Sequence, residues 1–318
     1  VEKTNIVWYG WDFNNDGTCE QEGGNLQVVT NAYDAPGMYT VALTVTNSLG
    51  DSARRVRFNY IRVYSGGGVA YVSTNGLHQW PFHTWPKAAT NIQHAIDVSR
   101  NTTVVITDGT YSVTTEINPD NGTVLRSVNG ASNTIVRRSA GSYLIFNINQ
   151  YNGVPVTNCI IDGFTIREGN VSAVYMAKGA IRNCMFIANS GGTYGAINMV
   201  GGSVSNCIFA GNSATAAGGG IHMKAPGGLV ANCVFTNNTV GRWGGGIEFE
   251  NTTAGAAIRN CLIARNRSVS QGGGISVFGA ACRIENCTVV SNVSANSDGG
   301  YPPLGGGGIW ISTGNAYM

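Results

Sequence analysis

The sequence predicts an all-β protein, in which a small β-sandwich is followed by a parallel β-helix. Three observations lead to this prediction. Alternating apolar and polar residues at 39–46 and 55–63 indicate two β-strands. A cysteine-containing string recurs every 23 to 28 residues from Cys159 onward. A glycine-rich string recurs between successive copies of the first, and a period of this length is typical of solenoid proteins.

The N-terminal segment, residues 1–64, is predicted to be the sandwich. The turn sequence Asn47-Ser-Leu-Gly50 separates its two strands, so we expect a hairpin. The segment Trp11-Asp-Phe-Asn-Asn-Asp-Gly17 and residues 31–47 resemble a PKD domain, which is an extracellular immunoglobulin-like type. The strands that precede the Trp-Asp-Phe segment in that family have no counterpart in this sequence. We therefore expect an N-terminally incomplete, Ig-like sandwich that exposes sheet edges and part of its apolar face.

A candidate calcium loop lies within this segment. Oxygen-bearing side chains recur at every second position, and a glycine then permits a sharp turn, as calcium loops require. The twelfth loop position is Gly23 rather than glutamate, which excludes an EF-hand. The alternative is an Asx-rich turn that satisfies its own backbone. The candidate ligands are Asp12, Asn14, Asp16, Glu20 and Glu22.

A glycine-rich linker, residues 65–68, leads to the β-helix, which we predict over residues 69–318 with clear repeats from about 156. Residues 86–98 carry an apolar stripe at helical spacing, so we expect a helix that caps the N-terminal end of the solenoid. The last turn, near Ile309, is expected to be incomplete and to leave backbone groups open to another chain. Head-to-tail contact with the incomplete sandwich would then build a fibre, and an arbitrarily truncated chain is the alternative.

The repeat assigns side chains to the interior of the solenoid. Each unit contains Asn-Cys-x-x-x-x-Asn followed by Gly-Gly-Gly-Ile or Gly-Ala-Ile, and side chains alternate along each strand. The cysteine, the residue two positions later and the isoleucine are therefore predicted to face inward, on three short strands per turn. The cysteines are expected to be buried thiols rather than disulfides, and the asparagines are expected to form amide ladders. The repeated cysteines are Cys159, Cys184, Cys207, Cys233, Cys261 and Cys287.

These units, with Phe-x-x-Asn and Gly-Gly-Gly-Ile, resemble the repeats of chlamydial polymorphic outer-membrane autotransporters and, more broadly, pectate-lyase-like right-handed β-helices. The resemblance covers about residues 69–318. It implies a secreted or surface-exposed passenger domain that is often adhesive. The broader superfamily includes polysaccharide lyases and hydrolases.

Function is expected at positions that break the repeat, because a column of identical residues offers no single site. Beside the inward isoleucines, the outward positions concentrate acidic, basic and aromatic residues on adjacent turns, as a glycan-binding face requires. The alternative is a solvated face whose charges neutralise one another. The candidate residues are His222, Lys224, Arg242, Trp243, Glu248, Glu250 and Trp310.

Two functions remain open at this point. The first is an extracellular or cell-surface structural or adhesive β-solenoid, whose partners are glycans or further copies of itself. The second is a polysaccharide-degrading lyase or glycoside hydrolase with an accessory PKD domain. The repeats from 170 onward contain one aspartate, Asp298, which argues against a calcium-dependent lyase site. The net charge of +2 with no basic cluster argues against nucleic acid, and no apolar run is long enough to span a membrane.

Asparagine sequons are the last candidate sites. Several arise from the repeat itself, so they are weak as a motif. Asn266 and Asn292 lie at predicted turns, whereas Asn286 precedes an inward cysteine and is disfavoured. The candidate glycosylation sites are Asn101, Asn121, Asn170, Asn237, Asn251, Asn266 and Asn292.

Overall fold

The computed structural model describes residues 5–35, 37–63, 68–99, 102–151, 153–190, 192–253, 255–295, 305–312 and 315–317. The chain divides into two compact units, Val1–Gly66 and Gly67–Met318. Almost all regular structure is β, and the predicted fold class is confirmed.

The N-terminal unit contains one four-stranded antiparallel sheet. The predicted hairpin is confirmed, because Gly37–Asn47 pairs with Ser52–Val63 over most of its length. Trp11, Phe13 and Val41 line an apolar cleft of about 500 Å³ on this unit. In sheet order, the strands are Gln21–Gly23, Ile6–Asp12, Gly37–Asn47 and Ser52–Val63.

The C-terminal unit is a parallel β-solenoid. One complete turn passes through Ser203–Ser205, Ile208–Ala210, Ser213–Ala217 and Ile221–Lys224, and each of these strands pairs in parallel with its counterpart one turn later. The turn therefore has four strands rather than the predicted three. The additional strand has only two residues in several turns, which is too short for alternation to indicate it from the sequence.

Four parallel sheets run along the solenoid, and each collects strands from successive turns. The ten-stranded sheet contains Ala70–Val72, Thr103–Ile106, Val124–Ser127, Ile160–Asp162, Ala180–Arg182, Ser203–Ser205, Leu229–Ala231, Ala256–Arg259, Ala281–Glu285 and Asn315–Tyr317. The eight-stranded sheet contains Gly109–Val113, Thr134–Arg138, Thr165–Arg167, Met185–Ile187, Ile208–Ala210, Val234–Thr236, Leu262–Ala264 and Thr288–Val290. The five-stranded sheet contains Gly192–Tyr194, Ser213–Ala217, Thr239–Val240, Arg267–Ser268 and Val293–Ser294. The seven-stranded sheet contains Phe146–Ile148, Val174–Met176, Ile197–Met199, Ile221–Lys224, Ile247–Glu250, Ile275–Phe278 and Ile309–Ile311. A short antiparallel pair joins Gln150–Tyr151 to Val154–Pro155.

A single α-helix, Ile92–Ser99, occurs among the described residues. It packs on Ala70–Val72, the first strand of the ten-stranded sheet, and buries Ile92, Ala95 and Ile96. The predicted start at residue 86 is wrong, because Ala89 instead pairs with the backbone of Tyr71 and Ser73. Asn91 Oδ1 then accepts the N–H of His94 at 3.1 Å and caps the helix. Within the described part of the chain, no helix has the length and hydropathy that crossing a membrane requires.

The interior consists of stacked columns of equivalent residues. The rings of Phe186, Phe209 and Phe235 stack face to face at 4.8 and 4.6 Å between centroids. The predicted inward thiol column is also confirmed: Cys184, Cys207 and Cys233 are about 1% exposed. Every cysteine of the chain is a free thiol, and Cys282 is also buried in the core. Stacking removes each turn's apolar side chains from water, which one isolated turn could not achieve.

The two asparagine columns behave differently. From Cys184 onward, the asparagine before each repeated cysteine adopts the left-handed conformation at a corner, for example Asn206 at φ +54° and Asn232 at φ +55°, and its side chain is exposed. Asparagine tolerates this conformation better than most residues. The asparagine five residues after the cysteine is buried at Asn189, Asn212, Asn238 and Asn266 and forms the predicted ladder: Asn212 Nδ2 donates to Asn238 Oδ1 at 2.9 Å. The glycine-rich corner is also required, since Gly244 has φ +66° and a Cβ there would lie 2.3 Å from the Ile247 carbonyl oxygen.

Candidate functional site

The candidate site lies on the outer face of the seven-stranded sheet. Strand register aligns the predicted residues in two columns. His222 pairs with Glu248, which pairs with Ser276 on the following strand. In the second column, Lys224 pairs with Glu250 and Glu250 with Phe278. We call the set Tyr194, Asn198, His222, Lys224, Glu248, Glu250 and Ser276 the outer-face cluster.

His222 is fully buried beneath a tyrosine. The ring of Tyr194, which precedes a glycine corner, stacks on the imidazole at 4.0 Å between centroids and an interplanar angle of 3°. The imidazole Nε2 lies 2.9 Å from Glu250 Oε2, and Nδ1 lies 3.4 Å from Asn198 Oδ1. Burial lowers the pKa of His222 to about 4, against the opposing effect of the Glu250 carboxylate. His222 is therefore neutral at pH 7, and its Nε2–H donates to Glu250.

Glu248 is a buried carboxyl group that is 2% exposed. Its Oε2 lies 3.7 Å from His222 Nε2 and has no hydrogen-bond partner among the described residues. Burial, together with the charge of Glu250, raises the pKa of Glu248 to about 8. Glu248 is thus largely protonated at pH 7. On the next turn, the buried Ser276 Oγ likewise has no partner within the described residues.

Lys224 and Glu250 form the accessible charged pair of the cluster, with 37% and 35% of their side chains exposed. Lys224 Nζ donates to the Tyr194 hydroxyl at 2.9 Å and lies 3.9 Å from Glu250 Oε2. The hydrogen bond to Tyr194 is the main cause of the raised pKa of Lys224, so the ammonium is charged at neutral pH. At pH 7 the cluster consequently presents one positive and one negative group, above two buried neutral acid–base groups.

Aromatic rings continue this face beside the charged pair. Trp243 and Phe278 lie nearly parallel, with ring centroids 6.2 Å apart and an interplanar angle of 13°. Phe278 is 43% exposed, and the guanidinium of the exposed Arg242 lies 5.6 Å from the Trp243 ring centroid. Trp310 pairs with Ser276 on the next turn and is half-buried.

The structure corrects one sequence-based interpretation of this face. His222 and Glu248 face outward from the solenoid, as alternation predicts, but they are buried rather than solvated. Alternation assigns a side chain to a face and does not show whether another side chain covers it. Tyr194 was missed as a site residue. It stands immediately before a glycine corner, as Trp243 does, in a column that contains alanine on the turn between them.

The candidate calcium loop brings together three of its five predicted ligands. Carboxylate oxygens of Asp12, Asp16 and Glu20 lie within 4.8 Å of one another. Asn14 instead forms two hydrogen bonds with Asp16: its Oδ1 accepts the Asp16 N–H at 2.9 Å, and its Nδ2 donates to Asp16 Oδ2 at 3.0 Å. Glu22 is exposed on the next strand and is not part of the cluster.

The candidate glycosylation sites divide into asparagines with exposed side chains and asparagines with buried or half-buried ones. Asn170, Asn237 and Asn251 are exposed, and Asn121 is half-buried with its Oδ1 accepting the N–H of Thr157. Asn101 lies outside the described residues. Asn266 is 0% exposed in the folded chain, and its Nδ2 donates to Phe235 O and to Asn292 Oδ1. A glycan on that nitrogen would require the ladder to open. The half-buried Asn292 is committed to the same ladder through Ile263 O.

Known proteins were compared with this chain by family, by sequence and by structure, and the two family matches agree with this architecture. A search of curated proteins finds no match. ORF18 of Geobacillus virus E2 is a solved structure similar to this chain at 13% identity, with a TM-score of 0.36, over 67% of this chain. The chain spans 52% of that structure. The PKD domain family matches residues 1–59, and the right-handed β-helix region family matches residues 144–318. Both domain types are typical of extracellular or surface proteins. Because the second match spans more than half of the chain, the chain belongs to the right-handed β-helix family, with a PKD domain at its N-terminus.

Proposed function

We propose that this chain is an extracellular or surface β-solenoid that binds glycans on the outer face of its seven-stranded sheet. The observation that carries the proposal is the pair of nearly parallel, partly exposed rings of Trp243 and Phe278 beside the exposed Lys224–Glu250 pair. A sugar ring has apolar C–H faces and a polar rim of hydroxyl groups. Aromatic faces and charged side chains, held on adjacent turns, match those two surfaces.

The rigidity of the face supports this function. Lys224 and Glu250 are held on neighbouring strands, and Tyr194 and His222 fix them from below through hydrogen bonds of 2.9 Å each. A binding site with preset side chains loses less conformational entropy when its ligand arrives. The outer-face cluster and the aromatic rings also lie on several consecutive turns of the seven-stranded sheet, which suits an elongated chain ligand.

The test is binding of the full chain to a panel of soluble neutral and acidic polysaccharides, measured by calorimetry. We expect Trp243→Ala and Phe278→Ala each to weaken binding by about tenfold or more, since each removes a desolvated aromatic contact. Leu262→Ala is the matched control, because Leu262 is an apolar residue 39% exposed on the eight-stranded sheet. Absence of binding across the panel, or equal binding by all three variants, would overturn the proposal.

A second candidate, polysaccharide cleavage, is favoured by Glu248. A protonated carboxyl group with a pKa near 8, beside the carboxylate of Glu250, is the pairing that glycoside hydrolysis uses. Its burial counts against it, since a substrate would have to displace covering side chains to reach it. Release of reducing ends by the wild-type chain, and its loss in Glu248→Gln with binding retained, would establish catalysis.

Head-to-tail self-association stays a prediction from the sequence.

A further inference from the structure

The N-terminal unit contains a cluster of acidic side chains that takes no part in the proposed function. Asp12 ends the strand Ile6–Asp12, Asp16 lies in the following loop, and Glu20 precedes the strand Gln21–Gly23. One oxygen from each lies within 4.8 Å of the other two. Calcium binds oxygen at 2.3–2.6 Å, so two ligands of one ion can be separated by up to about 5 Å. A single calcium ion can therefore reach all three carboxylates.

Asp12 supplies an independent indication of a ligand. The residue is 2% exposed, and its Oδ2 accepts the Gly17 N–H at 3.0 Å and an Arg54 N–H at 2.9 Å. Its Oδ1 is buried and has no hydrogen-bond partner among the residues that the structure describes. A buried carboxylate oxygen without a partner is costly, and bound cations are a usual means of satisfying one.

The charge balance favours a divalent cation. Three carboxylates meet one guanidinium, since Arg54 pairs with Asp12 and its Nη2 also donates to Asn15 Oδ1. The local charge is therefore about two units negative before an ion binds.

We propose that Asp12, Asp16 and Glu20 bind one calcium ion, with water completing the coordination shell. Three protein carboxylates are few for calcium, so we expect the affinity of an extracellular module, with a Kd of about 10⁻⁴ to 10⁻³ M. Magnesium should bind more weakly, because it requires shorter bonds in near-octahedral geometry and gives up its own water reluctantly.

The test uses the full chain and calcium chloride, with calorimetry and thermal melting of the N-terminal unit as the two measurements. Asp16→Asn and Glu20→Gln are expected to weaken calcium binding by about tenfold or more each, since both remove a charged ligand. Glu22→Gln is the matched control, because Glu22 is an exposed acidic residue outside the cluster, and its affinity should change by less than about twofold.

Two results would overturn the proposal. One is the absence of saturable binding up to about ten times the expected Kd. The other is equal weakening by Glu22→Gln and by the two ligand variants, which would indicate only a diffuse counterion effect. Asp12 is left unchanged in these experiments, since Arg54 and Gly17 depend on it for the fold.

Discussion

Two sets of buried polar residues in the solenoid can be compared directly: the asparagine ladder and the outer-face cluster. In the ladder, the same residue occupies the same position on successive turns. Asn238 accepts from Asn212 through its Oδ1, and donates through its Nδ2 to Asn266 Oδ1 and to Phe209 O. In the outer-face cluster, the residue changes on every turn, and both Glu248 Oε2 and Ser276 Oγ lack partners within the described chain.

The difference shows what repetition can and cannot provide. An amide is both donor and acceptor, so a stack of identical amides satisfies itself at each step. A stack of different groups depends on each individual neighbour, and unsatisfied buried groups reduce stability. A polar column that repeats is therefore explained by the fold, whereas one that does not repeat indicates a function that offsets its cost.

The largest expected effect comes from breaking the ladder. Asn238→Ala removes four hydrogen bonds, two accepted from Asn212 and two donated by the Asn238 amide. Because the remaining groups stay buried and unpaired, we expect the free energy of unfolding to fall by about 3–5 kcal/mol. Chemical denaturation measures this change.

Asn237→Ala is the control for that measurement. Asn237 is adjacent and exposed, with φ +54°, so the substitution should cost only the strain of a left-handed alanine, about 1–2 kcal/mol. Equal losses in the two variants would show that the buried ladder has no special role.

A smaller effect is expected from the pH dependence of the outer-face cluster. Between pH 6.5 and 8, an unfolded glutamate is ionised, whereas folded Glu248 keeps most of its proton until the pH approaches 8, so the folded state binds up to one more proton. Stability should therefore fall by about 2 kcal/mol as the pH rises through this window. His222 has the opposite effect near and below pH 6.5, since it protonates in the unfolded chain while it stays neutral in the folded one. The contribution of Glu248 is therefore obtained from the difference between the wild-type chain and Glu248→Gln.

Glu248→Gln should abolish this slope in denaturation curves recorded across the window. Glu285→Gln is the matched control, because Glu285 is a partly exposed carboxylate paired with Arg259 at 2.7 Å. A slope that survives in Glu248→Gln would mean that Glu248 is already ionised in the folded chain.

The smallest effect is expected in the thiol column, which repeats as the asparagine ladder does but contains weaker hydrogen-bonding groups. The N–H of Cys207 lies 3.4 Å from Cys233 Sγ, which is a long contact to a weak acceptor. Cys233→Ala should therefore lower the free energy of unfolding by only about 1 kcal/mol, from the small cavity it leaves. If this variant loses as much stability as Asn238→Ala does, the thiols do more than fill space.

The fold could be predicted because its signals repeat. Cys207 and Phe209 face inward, and residues at the equivalent positions recur in the other copies of the unit. The alternation along each strand and the period of the repeat therefore give the same prediction many times. The site could be predicted only in part. Register placed His222 beside Glu248, but the ring that buries His222 belongs to Tyr194, which comes from a corner some 28 residues earlier. Burial of one side chain by another in this way depends on the direction of a side chain at a corner, and no periodicity in the sequence predicts that direction.

The helix start was missed for a comparable reason. Ala88 and Ala89 favour a helix locally, but Ala89 pairs with the backbone of Tyr71 and Ser73 at the edge of the strand Ala70–Val72, and the Ala88 carbonyl accepts the N–H of His78. A tertiary contact therefore overrides local propensity at this point.

The sameness of the columns also has a consequence for how the chain finds its own alignment. A turn shifted by one whole repeat would meet the same asparagine, the same thiol and nearly the same aromatic ring. These columns therefore stabilise the stack of turns but do not specify its register. The correct register must be specified by residues that occur once, such as Tyr194, Trp243 and Glu248. Because the columns are alike on every turn, a whole repeat could also be gained or lost by duplication or deletion in evolution while the interior packing is kept. The outer-face cluster could not survive such an event in its middle, because it depends on which turn follows which.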